Sequence, residues 1–305
     1  DKIPCATALT AVERGFRALG LGAATLPEPL VMELPAAQAE VHVKGAHLSG
    51  ARHIVLKLAT GFDRNRARGL PSGDGMFLLL DARTGVPEVL LEEHGYLTDL
   101  RTAAAVALTL RYLAPPDARE ALLVGAGALA RLTARAMLAE RRLERLTVWN
   151  RTRERAAALA QELAPVVETR VAPALEPAVR AHRVIVTATA STVPLVQAAW
   201  VGPGVHVTSV GTGSPEKIEL EPALLARADK LVVDRVVQAE RYGNLRHALA
   251  RGAVTRDQVY AELGDLAAGR LPGREQDTEL TVADLTGVGV QDAAIAEVVV
   301  EVLGL

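Results

Sequence analysis

The stretch Leu122-Leu123-Val124-Gly125-Ala126-Gly127-Ala128-Leu129-Ala130 decides the fold, because it joins an apolar run, a G-x-G-x-x-A turn and the opening of a helical pattern. In that context Gly125 permits the tight turn. Gly127 lets the backbone approach a pyrophosphate and Ala130 lets the helix pack close to the strand, so that exposed amides at the helix start can hold an anion. Glycine-rich turns are common, but a strand before, a helix after and a second strand over 146–149 point to dinucleotide binding. Working outward, strands over 121–124, 146–149, 183–188, 206–210 and 230–234 alternate with helices that reach 139 and 163. This alternation builds a doubly wound parallel sheet of the α/β class.

The end of the second strand selects the dinucleotide. An NAD site carries Asp or Glu there for the ribose hydroxyls, whereas this chain reads Trp149-Asn150-Arg151-Thr152. Arg151 offers a guanidinium and Thr152 a hydroxyl to a 2′-phosphate, so NADP(H) is preferred, with NAD(H) as the alternative. The plainer reading makes Arg151 a solvated residue at a helix start, like Arg153 and Arg155 beside it.

Upstream the pattern differs. A helix over 6–19 carries Leu9, Val12, Phe16 and Leu19 at helical spacing. Extended segments follow over 30–34, 41–47, 53–60, 76–81 and 86–91, separated by Gly, Pro, Asp and Asn, and read as a mostly antiparallel sheet. An Ala-rich helix over 98–113, with Thr98 or Asp99 as N-cap, is stopped by Pro115-Pro116. The chain therefore divides into an α+β domain over 1–113, onto which a terminal helix over 293–305 packs back, and a nucleotide-binding domain over 114–292.

Two cations of the first portion stand out. Arg101 falls in the first turn of the 98–113 helix, where the helix dipole repels it, a placement that calls for an anion such as a substrate carboxylate. Pairing with Asp99 or another surface carboxylate is the competing reading. Lys57 lies in His53-Ile54-Val55-Leu56-Lys57-Leu58-Ala59, whose two faces both read as buried. It either snorkels at the sheet edge or sits in a cleft, where desolvation lowers its pKa and suits it to proton transfer. Lys44, beside His42 on an alternating strand, reads as a solvated residue and is a weaker candidate.

Composition excludes other classes. The 305 residues carry 34 Lys and Arg against 36 Asp and Glu, and aromatics are only 3%, so neither phosphate tracking nor base stacking on nucleic acid is supported. Half the residues are apolar, as in a compact globular chain. The single Cys5 and seven scattered histidines supply neither a disulfide nor a metal-ligand spacing, so no metal is expected. No apolar run approaches the roughly 18 residues of a membrane helix and no signal pattern opens the chain, so no membrane partner and a cytoplasmic setting are expected.

In order along the chain come Lys57, Gly69-Leu70-Pro71-Ser72, Leu97-Thr98-Asp99-Leu100-Arg101-Thr102-Ala103-Ala104, the glycine fingerprint and Trp149-Asn150-Arg151-Thr152. The run from Gly211 to Lys217-Ile218-Glu219-Leu220 and the segment Leu285-Thr286-Gly287-Val288-Gly289-Val290-Gln291-Asp292 follow. With these the chain resembles the ornithine cyclodeaminase/mu-crystallin family from near its start to its end, in wording most like the ectoine-utilisation branch. The resemblance implies a Rossmann domain plus an α+β substrate and dimerisation domain, and hence a homodimer.

It also implies that Lys57 contacts substrate and assists proton transfer, that Arg101 binds its carboxylate and that Ser72 lines the pocket. Thr102 would approach the cofactor and Gly289 the nicotinamide. Gly125, Gly127, Ala128, Leu129, Asn150, Arg151 and Thr152, with Thr187-Ala188-Thr189 and Val210-Gly211, complete the cofactor set.

Two departures qualify the resemblance. The family's cyclodeaminases carry an amine-handling Asp four residues before the Lys of K-x-E-L, and this chain has Gly213 there. The family's early carboxylate-binding Arg has no counterpart between Pro27 and Lys44, so Lys44 is a substitute. The implied activity is an NAD(P)H-dependent oxidoreductase on a small amino or imino acid, with imine (ketimine) reduction preferred. An NAD-dependent ornithine-type cyclodeaminase and a non-catalytic NADPH-dependent binding protein of mu-crystallin type are the alternatives.

Overall fold

The computed structural model describes residues 3–305 and divides into two compact units. One is built from the described residues up to Arg101 together with Val288–Leu305, the other from Thr102–Gly287. The division falls inside a helix and ahead of the last one, rather than after residues 113 and 292 as the sequence suggests. The turn signals at Pro115-Pro116 mark the end of a helix, not the edge of a packed unit.

The antiparallel unit opens with α1 (Cys5–Gly20), whose Leu9, Val12 and Phe16 are buried. Strands β1 (Ala24–Thr25), β2 (Leu30–Leu34), β3 (Ala39–Leu48), β4 (His53–Phe62), β5 (Gly73–Asp81) and β6 (Pro87–Glu92) follow. They pair antiparallel in the order β1-β3-β4-β5-β6, with β2 also on β3. Helix α2 (Tyr96–Leu113) begins in this unit. The last helix, α10 (Gly289–Leu303), returns to pack on β3, β4 and α1. It starts four residues before the expected boundary at 293, because the glycine there lets its first turn sit directly on β3: a Cβ at Gly289 would run into the carbonyl oxygen of Gly45.

Helix α2 also starts earlier than its N-cap signals indicate. The chain turns through left-handed backbone at His94 and Gly95, and the Glu93 carboxylate then accepts from the amides of Leu97 and Thr98, satisfying donors at the helix start. Arg101 is thereby moved out of the first turn. The dipole argument does not apply to it.

The parallel unit contains β7 (Glu120–Val124), α3 (Ala128–Glu140), β8 (Arg145–Trp149), α4 (Arg153–Leu163), β9 (Glu168–Val171), α5 (Leu175–Ala181) and β10 (Val184–Thr187). It continues with β11 (His206–Ser209), α6 (Pro222–Ala226), β12 (Lys230–Val233), α7 (Val236–Ala239), α8 (Gly243–Ala250), β13 (Val259–Glu262), α9 (Leu263–Ala267) and β14 (Thr281–Asp284). Its strands form one parallel sheet in the order β13-β12-β14-β11-β10-β7-β8-β9. The order reverses between β7 and β10, and such a switch point opens a crevice at the carboxyl ends of the strands. Aliphatic side chains of β7, β10, β11 and β12, buried on both faces, fill the core of this unit.

Candidate functional site

In the antiparallel unit the cations gather around one carboxylate. Lys57 on β4 is 2% exposed, and its Nζ lies 3.0 Å from Asp292 Oδ1. Arg101, 4% exposed, places Nε 3.0 Å from the same oxygen. Lys44 on β3 is buried, not solvated as expected, and faces Lys57 directly across the β3–β4 ladder. Like charges opposed in this way repel, and the Asp292 carboxylate offsets part of that repulsion.

Asp292 belongs to the first turn of α10, where the helix dipole favours an anion. Its neighbour Gln291 accepts from the Val288 amide at 2.8 Å and from Arg101 Nη1 at 3.2 Å, and donates through Nε2 to the Arg101 carbonyl at 3.2 Å. Arg101 is thus paired, but with a buried carboxylate that neither sequence reading of it named. Ser72 lies in the turn before β5, where its carbonyl accepts from the Phe62 amide. Gly289 packs against the Gly45 carbonyl.

Burial and charge set the protonation states. Burial, reinforced by Arg101, brings the Lys57 ammonium down to about 8, against the pull of Asp292 and Glu93. Burial pushes the Asp292 carboxyl up, but Arg101, Lys57 and Lys44 together outweigh it and hold it below the usual carboxylate range. Burial also pushes Asp99 up to about 6. Such a group of buried cations about a shared carboxylate has the means to bind a small carboxylate and to give up a proton near neutral pH.

The parallel unit supplies a dinucleotide cradle. Gly125 adopts a φ of 129°, and a Cβ there would collide with the Ala188 carbonyl at the end of β10. A Cβ at Gly127 would meet nothing within 4 Å, so the backbone stands open for an incoming group. Gly127 also ends the turn without a side-chain cap on α3, and the amides of Ala128 and Leu129 at the helix start are free of intrahelical partners. These residues fit a pyrophosphate.

Beside them lies a hub that spacing arguments missed. The fully buried Glu219 accepts from Thr187 Oγ1, Ser209 Oγ and the Gly211 amide at 2.7–2.9 Å, and from the amide and hydroxyl of Thr189 at 2.6 and 2.7 Å. It ties together the strand ends that carry Thr187-Ala188-Thr189 and Val210-Gly211. Only its place in K-x-E-L hinted at a role. At the end of β8, Asn150 donates to the Thr152 carbonyl at 2.9 Å, while Arg151 and Thr152 are exposed. Thr102 is half-buried on α2. Among the described residues no cluster of three or more His, Cys, Asp or Glu could hold a metal ion.

Comparison with known proteins identifies the family and the fold. The family model described as the ornithine cyclodeaminase/mu-crystallin family matches residues 2–304. The chain belongs to this family. Among relatives of this ornithine cyclodeaminase/mu-crystallin member, an uncharacterised cyclodeaminase of Sinorhizobium fredii is 40% identical over 292 residues, which are 95% of this chain and 88% of the relative. An archaeal alanine dehydrogenase dimer with bound NAD matches at TM-score 0.93 and 31% identity, covering 98% of this chain and 92% of that one. The Δ1-pyrroline-2-carboxylate reductase of Thermococcus litoralis, in complex with NADH and L-proline, matches at TM-score 0.94 and 27% identity, covering 99% and 94%. The fold is that of these nicotinamide-binding α/β proteins.

Proposed function

We propose that this family member is an NADPH-dependent imine reductase that converts a small α-imino acid to the α-amino acid. The observation that carries the reading is the buried Lys44, Lys57 and Arg101 group, two of whose members contact the Asp292 carboxylate. A bound dinucleotide supplies the hydride that adds to the imine carbon. Arg101 keeps Nε 3.0 Å from Asp292 and donates through Nη1 to Gln291, which leaves its other N–H groups for a substrate carboxylate. Lys57 delivers the proton that the imine nitrogen gains and is recharged from solvent. With its pKa near 8 it holds that proton at neutral pH and releases it readily.

Reduction is favoured over deamination by Gly213. The amine-handling carboxylate of the cyclodeaminases is missing, and a Cβ there would find nothing within 4 Å. The solved reductase neighbour holds a cyclic amino acid together with NADH. The NADPH preference rests on Arg151, which stands in solvent at the end of β8 where no carboxylate is present. A homodimer is supported by the dimeric archaeal neighbour and by the apolar Leu30, Met32, Leu34 and Leu90 exposed on the antiparallel sheet.

The test is NADPH oxidation, followed by absorbance, with Δ1-pyrroline-2-carboxylate, Δ1-piperideine-2-carboxylate or pyruvate plus an amine. Turnover with at least one is expected, and silence with all of them overturns the reading. The 40% identity to a cyclodeaminase by name supports a second reading. Release of ammonia and formation of proline from ornithine, with no net change in NAD, would establish it instead.

A further inference from the structure

Asp292 is buried to 1% exposure, yet neither of its oxygens has an aligned hydrogen-bond donor, and the Nε of Arg101 likewise has no aligned acceptor. The 3.0 Å contacts it makes are ion pairs, strong in charge and loose in angle. A buried carboxylate kept for stability alone would be saturated with donors, as Glu219 is. We propose that Asp292 is the positioning residue of the site, aiming the Lys57 ammonium and the Arg101 guanidinium and holding the proton on Lys57.

Three observations support it. Asp292 touches both cations through one oxygen, so it holds the two of them close to a common point. Gln291 next to it clamps Arg101 at two points, the carbonyl and Nη1, and is itself fixed to the Val288 amide, so the two residues act as one unit. Lastly, Lys57 is faced by Lys44 from β3, by Arg101 and Asp99 from α2 and by Glu93 from the turn before α2, and among these groups Asp292 is the carboxylate in direct contact with it. Without Asp292, burial and the neighbouring cations act on Lys57 against a weaker counter-charge.

The proposal rests on the reductase reading only for the identity of the proton acceptor, because the coupling of Asp292 to Lys57 belongs to the resting protein. The experiment uses the full chain with 13C-labelled lysine, the Lys57 resonance being assigned by its loss in Lys57→Met. In Asp292→Asn the NMR titration of Lys57 should move to lower pH by about one unit or more, and the alkaline limb of kcat/KM for NADPH-dependent imine reduction should move with it. Gln291→Leu should raise KM about tenfold or more while leaving the Lys57 titration in place.

An unchanged or upward-shifted Lys57 titration in Asp292→Asn overturns the proposal. Should that variant not fold, Asp292→Glu decides. It retains the charge on a longer arm and should keep the Lys57 titration near that of the native protein while KM rises about tenfold, and kinetics identical to the native protein overturn the proposal. If the native protein oxidises no NADPH but Asp292→Asn still displaces the Lys57 titration, the function assigned above fails and the coupling stands.

Discussion

A lysine held at 2% exposure against a backdrop of other cations is a liability to the folded state, and the sign of that liability can be measured. The ammonium of Lys57 titrates near 8 in the folded chain and near 10.5 when exposed. Below pH 8 both states carry the proton and the penalty is fully present; between the two values the unfolded chain binds the extra proton, so stability rises with pH by about 3 kcal/mol. Lys57→Met is therefore expected to abolish imine reduction while leaving the melting temperature at pH 7 no lower than that of the native protein. The comparison should turn toward the native protein by pH 10, and thermal unfolding at the two pH values checks it.

Arg101→Ala should behave differently, because it strips a partner from the buried Asp292. A loss of about 3 kcal/mol in stability and a hundredfold or greater rise in KM are expected, read by denaturant unfolding and steady-state kinetics. At the cofactor end, Arg151→Ala should raise KM for NADPH by roughly 10- to 100-fold and leave NADH little changed, since only the former carries the 2′-phosphate.

At the scale of elements, placement of a helix start decides the site. Helix α10 can bring Gln291 and Asp292 to β3 and β4 only because Gly289 lies against the Gly45 carbonyl. Gly289→Ala should lift the first turn, costing roughly 1–3 kcal/mol in stability and most of the activity, whereas a substitution at the exposed C-terminal Val302 should do neither. Chemical denaturation alongside kcat/KM distinguishes the two. Local signals made part of this legible: the glycine turn between β7 and α3 is contiguous, and the alternation of β3 to β6 spans whole strands. The start of α2 escaped because its cap is a carboxylate preceding a left-handed turn. Asp292 escaped for another reason, since it meets Lys57 and Arg101 only through tertiary packing and no spacing rule links them.

For the whole molecule, a net charge of -2 is an average over unlike regions. Lys44, Lys57 and Arg101 concentrate positive charge in one unit and Arg151 presents it in the other. Among the described residues no helix is long and apolar enough to cross a membrane. Because the cradle residues lie in Thr102–Gly287, NADPH at about 100 times its Kd should stabilise that unit by about 2.7 kcal/mol. Hydrogen exchange with and without NADPH should show the added protection in β7, β10 and the start of α3. Protection confined to β3 and β4 would contradict the assignment.

The antiparallel unit is discontinuous in sequence, being closed by its return segment Val288–Leu305. Gln291 follows Arg101 by 190 residues, so during synthesis the cationic strands leave the ribosome long before their counter-ion is made. A prematurely terminated chain that ends before this segment lacks Gln291 and Asp292, and with them the partners that Arg101 and Lys57 have in the complete fold.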